Sequence, residues 1–166
     1  MSEHTHDIEF HNFISSDHDV LKYLHNTSDE EIAISIMQNG FRFESRLDYT
    51  TDMVSGSDVV QIEYFKLIRK KYGKFTMVLH IGKSIVDKYN LLLKNTVFFF
   101  YEVLSQVEPE LSQDGESMFV LHPQFVKGYY DHEKKIGIIN PKFNPYLDLP
   151  EFQQNLQDLS SGKTKI

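Results

Sequence analysis

Patterns typical of helices and patterns typical of strands fall largely in different halves of this chain. Helical periodicity predicts helices at residues 29–39, 57–72 and 83–93. Shorter extended segments are predicted among them, at residues 20–25, 41–47 and 75–81. Runs rich in aromatic and β-branched residues crowd the second half, at residues 96–104, 117–121, 125–130 and 135–139. Because a doubly wound parallel sheet needs strands and helices in regular alternation, this arrangement predicts an α+β domain.

The first predicted helix has signals at both of its ends. Ser28 precedes Glu31 by three residues, which is the spacing of a capping box that satisfies the first N–H groups of a helix. Gly40 follows the last periodic position and accepts the backbone conformation that ends a helix. Apolar residues at four-residue spacing predict the side of this helix that faces the core, namely Ile32, Ala33, Ile36 and Met37.

The strongest strand prediction is the run Thr-Val-Phe-Phe-Phe-Tyr-Glu-Val-Leu at residues 96–104. Because this run is apolar almost throughout, we expect a strand that is covered on both faces. An acidic loop is predicted at residues 107–115, and a hairpin-type turn at residues 131–134. Neither a Gly-x-Gly-x-x-Gly motif nor a Walker loop occurs in the sequence, so a Rossmann or P-loop nucleotide site is not expected.

The composition excludes several kinds of site and partner. The chain contains no cysteine, which rules out a disulfide scaffold, a zinc site with thiolate ligands and a cysteine nucleophile. Its net charge of -7 argues against nucleic acid as a partner, since proteins that bind nucleic acid place a basic surface against the phosphates. No apolar run approaches the roughly 20 residues that cross a bilayer. We therefore expect a cytoplasmic protein that does not bind membranes.

The two ends of the sequence differ from its middle in composition. Residues 1–19 are polar and rich in histidine, and they lack the basic-then-apolar order of a signal peptide. We expect a flexible leader there, and a short tail, helical or frayed, at residues 150–166. The leader histidines match no closed tetrahedral metal site, so no metal centre is predicted.

Three segments of the middle region stand out as a set. The first reads Leu-His-Asn-Thr at residues 24–27, and it is followed by the capped helix and then by Gly-Phe-Arg at residues 40–42. The second reads Tyr-Thr-Thr-Asp-Met-Val-Ser-Gly-Ser at residues 49–57. The third reads Gly-Glu-Ser-Met-Phe-Val-Leu at residues 115–121 and leads into the strand predicted at residues 125–130.

This set resembles the catalytic domain of the poly(ADP-ribose) polymerases, within the ADP-ribosyltransferase superfamily. That family has a His-Gly-Ser/Thr strand followed by a helix that ends in Gly, an apolar residue and Arg. It also has a Tyr-Phe-Ala-Asp segment whose later serines open the next helix, and a strand that begins with the catalytic Glu. The resemblance implies an ADP-ribosyltransferase-like domain at residues 20–149, with helices of the first half packed on a mainly antiparallel, split β-sheet.

The resemblance also implies a function. It maps the family's His-Tyr-Glu triad onto His25, Tyr49 and Glu116, around one cleft that takes NAD as a substrate. Glu116 would hold the nicotinamide ribose and stabilise the positive charge that develops when the nicotinamide–ribose bond breaks. His25 would orient the adenosine ribose, and Tyr49 would stack on the nicotinamide. Further candidate contacts to NAD are Asn26, Thr27, Thr51 and Ser57.

Two positions depart from the family pattern. Asn26 stands where the family has a glycine whose backbone binds the nicotinamide amide, and a side chain there would narrow the pocket. An apolar residue, Val59 or Val60, stands where the family has a second tyrosine, and it would stack less well on the ring.

Three functions are therefore open. The first is a mono-ADP-ribosyltransferase with an unidentified protein or small-molecule acceptor, or an NAD glycohydrolase if water is the acceptor. The second is a non-catalytic module that binds NAD, ADP-ribose or a protein through the same fold. The third is an RNA 2′-phosphotransferase, a fold relative whose phosphate site relies on basic residues, of which these segments have few.

Overall fold

The structure of the chain is a computed structural model that describes residues 8–44, 47, 51–54, 62, 73–107 and 118–161. A 3₁₀ turn at Pro123–Phe125 lies directly before the strand that begins at Val126. In chain order, the helices and strands of this part are α1 (Ile8–Ser15), β1 (Val20–Thr27), α2 (Glu30–Asn39), β2 (Phe41–Glu44), β3 (Asp52–Val54), β4 (Phe75–Gly82), α3 (Lys83–Leu93), α4 (Phe100–Val103), β5 (Ser105–Val107), β6 (Met118–Leu121), β7 (Val126–Asp131), β8 (Ile136–Ile139) and α5 (Pro150–Ser161).

The strands form two separate sheets. Five of them are ordered β3-β1-β4-β7-β8, and three are ordered β2-β6-β5. Every strand pairing in the described residues is antiparallel. The predicted α+β class with a mainly antiparallel sheet is therefore confirmed. The predicted separation of the two element types is weaker than expected, because α4 and α5 lie among and after the strands of the second half.

The five-stranded sheet has a core on each face. Its central strand β4 is buried at all eight positions, and successive side chains of a strand point to opposite faces. The larger core contains Tyr23, Leu79 and Tyr129 of the sheet together with α2, α3, α5 and the three-stranded sheet. The smaller core contains Leu24 and Val78 packed against α1. The sheet thus separates two cores, and a polar residue of the sheet faces one or the other according to its position in the strand.

Helix α1 occupies a region that the composition predicts to be a flexible leader. Phe10, Phe13 and Ile14 are all buried against the sheet. Their spacing of three and four residues puts them on one face of a helix, where they cover Leu24 and Val78. The prediction of a loose leader is therefore wrong for this helix, because a short amphipathic stripe outweighs the polar residues around it. Residues 1–7 lie outside the described part.

The run at residues 96–104 is not the strand that its apolar character predicts. Its first two residues form a bend, and Phe100–Val103 is a helical turn that leads into β5. The Thr96 hydroxyl donates to the carbonyl of Leu93 at 2.8 Å, and the Glu102 carboxylate accepts from the N–H of Phe99 at 2.7 Å. These bonds between side chains and backbone stabilise a helical turn. They thereby compete with the hydrogen bonds that the same backbone groups would make to a neighbouring strand. Val97 is 84% exposed, so the run is not covered on both faces either.

The helix predicted at residues 29–39 is confirmed, with a different cap. Asp29, and not Ser28, is the N-cap, and its carboxylate accepts from the N–H of Glu31 at 2.9 Å. Gly40 ends the helix with φ +106°, and a Cβ there would lie 2.2 Å from the carbonyl oxygen of Leu121. Glycine is thus required by the backbone conformation and by the approach of β6.

Most of the remaining predicted elements are found. Strands lie at the predicted segments 20–25, 75–81, 117–121, 125–130 and 135–139, with ends that differ by one or two residues. The 131–134 turn is present, and α5 makes the last segment helical, with two side chains in the larger core. In the described ranges, no helix is long and apolar enough to span a bilayer. The helix predicted at 57–72, except Ile62, and the acidic loop at 108–115 lie outside the described residues.

Candidate functional site

The predicted site residues divide into two groups. His25, Asn26, Thr27 and Thr51 lie in the part of the chain that the structure describes. Tyr49, Ser57 and Glu116 lie outside the described residues. Of the predicted triad His25, Tyr49 and Glu116, His25 is the member that belongs to the described part of the chain.

His25 projects from β1 toward the larger core. Its ring lies 5.0 Å from the ring of Phe41, with an angle of 64° between the two planes. Phe41 is the first residue of β2 and follows Gly40 directly, so the glycine that ends α2 also sets the position of the ring beside His25. The imidazole is only partly buried, and one side of it faces a groove.

This groove has a volume of about 470 Å³ and runs along α2. One wall is the helix face formed by positions separated by three and four residues, which lie on one side of a helix. The residues of that wall are Ile32, Ser35, Ile36 and Asn39. The remaining lining residues are His25, Gly40, Phe41, Arg42 and Val120.

The chemistry of the groove combines apolar walls with a few polar groups. Ile32, Phe41 and Val120 offer surface for a flat or aliphatic group, whereas His25 offers a ring nitrogen that donates or accepts a hydrogen bond. The guanidinium of Arg42 suits a phosphate or carboxylate, which it binds through two parallel hydrogen bonds. Small-molecule sites are commonly of this volume and of this mainly apolar character.

Sequence reasoning assigned part of this wall to the core. Ile32 and Ile36 were predicted to face inward together with Ala33 and Met37, but Ile32 is 49% exposed while Ala33 is fully buried. Both pairs have the same four-residue spacing and lie on adjacent stripes of α2. The pattern alone therefore identifies two apolar stripes without saying which one meets the core.

Asn26 does not contribute its side chain to this groove. Because it follows His25 in a strand, its side chain points to the opposite face of the sheet. Its amide donates to the carbonyl of Gly73 at 3.0 Å, and its amide oxygen accepts from the Thr76 hydroxyl at 3.1 Å. The same hydroxyl lies 2.7 Å from Nε2 of His132. The Asn26 side chain thus connects β1 to Gly73 and to β4, and it does not narrow the groove.

The two threonines near His25 make local hydrogen bonds. Thr27 accepts from the N–H of Asp29 at 3.3 Å, which ties the end of β1 to the start of α2. Thr51 donates to the carbonyl of Leu47 at 3.0 Å. The Thr27 hydroxyl keeps its proton for another acceptor, whereas the Thr51 oxygen can only accept from a further group.

The described parts of the three segments that carry the family resemblance lie around His25. The second segment contains β3, which pairs with β1 so that Asp52 is the partner of Leu24, the neighbour of His25. The third segment contains β6, which pairs with β2, the strand that begins at Phe41. Val120 of that third segment lines the same groove as His25.

Metal ligation has no support in the residues that the structure describes, where no three His, Asp or Glu side chains come together in a possible metal site. A comparison of the chain with models of known protein families, with curated proteins and with solved structures found no match.

Proposed function

We propose that this chain is an NAD-dependent mono-ADP-ribosyltransferase, or an NAD glycohydrolase when water is the acceptor, with its active site at the groove beside His25. One observation carries the proposal. Three segments that are distant in sequence and that resemble one family in order contribute neighbouring strands around His25. An active site assembled from several elements requires its segments to meet in space. A resemblance that arose by chance gives no reason for the three segments to meet.

The reaction breaks the bond between the nicotinamide nitrogen and C1′ of its ribose. The bonding electron pair leaves with the nicotinamide, so positive charge develops on the ribose as in glycoside cleavage. In this proposal Glu116 stabilises that charge and binds the ribose hydroxyl, and Tyr49 stacks on the leaving ring. His25 binds the adenosine ribose. The hydroxyl or amine of the acceptor, or water, then attacks C1′ and loses a proton.

The lining of the groove is compatible with such a substrate. Its walls of Ile32, Phe41 and Val120 suit a planar ring, and Arg42 supplies a positive charge for a pyrophosphate. Thr27 remains a candidate contact to NAD as a hydrogen-bond donor, because its hydroxyl accepts from Asp29. Thr51 remains a candidate contact as an acceptor, because its hydroxyl already donates to Leu47. Asn26 can reach a ligand only through its backbone, since its side chain binds Gly73 and Thr76.

The decisive experiment incubates the full chain with NAD and measures free nicotinamide. We expect release by the wild type and a loss of about 100-fold or more for Glu116→Gln, the loss that removal of one transition-state group commonly causes. Glu133→Gln is the matched control, because it neutralises an exposed acid in the 131–134 turn and should not change the rate. Equal release by wild type and Glu116→Gln would remove Glu116 from the mechanism, and no release by wild type would refute catalysis.

A non-catalytic binding module is the second candidate. It is favoured by the apolar lining of the groove, in which the described residues include no carboxylate to stabilise a developing cation. Calorimetry with NAD and with ADP-ribose separates the two functions. Binding of either compound without nicotinamide release, weakened by His25→Ala, would support the module, whereas turnover supports the enzyme.

A further inference from the structure

The sheet face opposite His25 carries a group of polar and charged side chains, which we call the Asp17 cluster: Ser16, Asp17, Lys22, His80 and Lys127. Lys22 of β1 and His80 of β4 are direct cross-strand partners, so their side chains lie on the same face. Lys127 comes from β7, and Ser16 and Asp17 directly follow α1. His80 is fully buried, and both lysines are 5% exposed.

Asp17 is the centre of this cluster. Its Oδ2 atom accepts from Nδ1 of His80 at 2.9 Å and from Nζ of Lys127 at 2.7 Å. Nζ of Lys127 also donates to the Ser16 hydroxyl at 2.7 Å and lies 5.2 Å from the centre of the Phe13 ring. The chain just beyond α1 is thus bonded to two strands of the sheet. These polar bonds hold α1 on the sheet in addition to the apolar contacts that Phe10 and Ile14 make in the smaller core.

The environment of His80 disfavours a second proton on its ring. The hydrogen bond to the Asp17 carboxylate uses the proton on Nδ1, while Nε2 is buried and has no hydrogen-bond partner among the residues that the structure describes. The ammonium groups of Lys22 and Lys127 act on His80 from the neighbouring strands, and Lys83 at the start of α3 acts on Lys22 in turn. The ring of Phe143 covers another side at 6.0 Å.

The pKa shifts agree with this geometry. Burial lowers the pKa of His80, and the hydrogen bond to Asp17 opposes that shift only in part. The hydrogen bond from His80 holds the pKa of Asp17 far below its usual range, and Lys127 acts in the same direction. Burial also lowers the pKa of Lys22, with Lys83 and Lys127 contributing.

We propose that the Asp17 cluster is an acid-sensitive switch, which holds α1 on the five-stranded sheet while His80 is neutral and loosens α1 when His80 gains a second proton. Loosening α1 exposes Phe10, Phe13 and Ile14, which are otherwise buried in the smaller core. The switch lies on the opposite face from the groove and does not depend on the proposed function.

The sign follows from the lowered pKa of His80. When α1 opens, the imidazole returns toward its ordinary pKa near 6.5 and binds protons more tightly than in the closed state. The closed state is therefore most favoured above that pH, and its advantage falls by up to about tenfold for each pH unit below it. Asp17 acts in the same direction only below its ordinary pKa of 3.8, so His80 is the sensor in mild acid.

The test measures hydrogen exchange of the amides of α1 in the full chain between pH 7 and pH 5, corrected for the intrinsic pH dependence of exchange. We expect the protection of α1 to fall by about tenfold or more over this range, while the central strand β4 keeps its protection. His80→Asn places an amide donor near the Nδ1 position and cannot take a second proton. Its α1 protection should not change with pH.

His122→Gln is the matched control, because His122 is another partly buried histidine with a pKa lowered by burial. It should keep the wild-type response. The same fall in His80→Asn, no fall in wild type, or an equal fall in β4 would overturn the proposal. If His80→Asn does not fold, ring ¹⁵N NMR of the wild type decides. Protonation of His80 together with the opening of α1 supports the switch, and a ring that stays neutral through the opening refutes it.

Discussion

The two faces of β1 use polar side chains in opposite ways. On one face, His25 is partly exposed and lines a groove together with exposed residues of α2. On the other face, Lys22 lies beside the Asp17 cluster's hydrogen bonds, and Asn26 is bonded to Gly73 and Thr76. Because strand residues alternate between faces, three polar residues within five positions of one strand have different tasks. Asn26, on the α1 side, joins two parts of the fold through its hydrogen bonds, whereas His25, on the α2 side, lines the groove.

The largest difference between the faces should come from their apolar residues. Phe10 is fully buried on the α1 side, so Phe10→Ala should lower the free energy of unfolding by about 3–5 kcal/mol. Ile32 is half exposed on the groove side, and Ile32→Ala should lower it by about 1 kcal/mol or less. Urea denaturation measures both values. Similar losses for the two variants would contradict the assignment of α1 to the core and of Ile32 to the groove.

A smaller difference is expected between two neighbouring residues of β1. Asn26→Ala leaves the Gly73 carbonyl without its side-chain donor and removes one of the two hydrogen-bond partners of the Thr76 hydroxyl, so it should destabilise the fold by about 1–3 kcal/mol. His25→Ala removes the ring contact with Phe41, a contact of a kind worth about 0.5–1.5 kcal/mol.

The same pair of variants separates stability from binding. His25→Ala should weaken the binding of NAD or ADP-ribose in calorimetry, whereas Asn26→Ala should leave it nearly unchanged at a temperature where both variants are folded. A reversal, with Asn26→Ala losing the ligand and His25→Ala losing stability, would show that the two faces have been assigned the wrong way round.

The framework of the fold is predictable where its signals are local. The helix predicted at residues 83–93 is present as α3, and its apolar positions Ile85, Val86, Tyr89 and Leu93 are all buried. Gly40 ends α2 as predicted, because only a residue without a Cβ fits both its φ and the approach of β6. Turn residues and periodicity determine such features within a few positions of the chain, so a single sequence is enough to find them.

Other features depend on contacts that the sequence pattern does not contain. An apolar run does not distinguish a strand from a helical turn. In residues 96–104, the hydrogen bonds of the Thr96 and Glu102 side chains to the backbone favour the helical turn. In α1, the spacing of Phe10, Phe13 and Ile14 was a usable signal that the polar composition obscured. The groove was less predictable still, because it requires β6 to pair with β2, although β3, β4, α3, α4 and β5 lie between them in the chain.

The smallest expected effect concerns the seating of α2, which forms one wall of the groove. The Tyr129 hydroxyl donates to a carboxylate oxygen of Glu30 at 2.7 Å, and this bond joins β7 to the first turn of α2. Burial, together with this carboxylate, raises the pKa of Tyr129 to about 12. In Glu30→Gln the burial remains but the charge is lost, so the pKa should fall part of the way toward its ordinary value of 10.

Because Glu30 is exposed, screening by solvent should keep the loss of unfolding free energy in Glu30→Gln below about 1 kcal/mol. Stability that Tyr129 contributes is present below pH 10 and is lost as the pH rises toward 12, since only the unfolded chain ionises in that window. NMR of ring-labelled tyrosine follows the titration, with Glu133→Gln as a control that leaves it unchanged. An unchanged titration in Glu30→Gln would mean that α2 is held on the sheet by its apolar stripe alone, and that the wall of the groove needs no polar anchor.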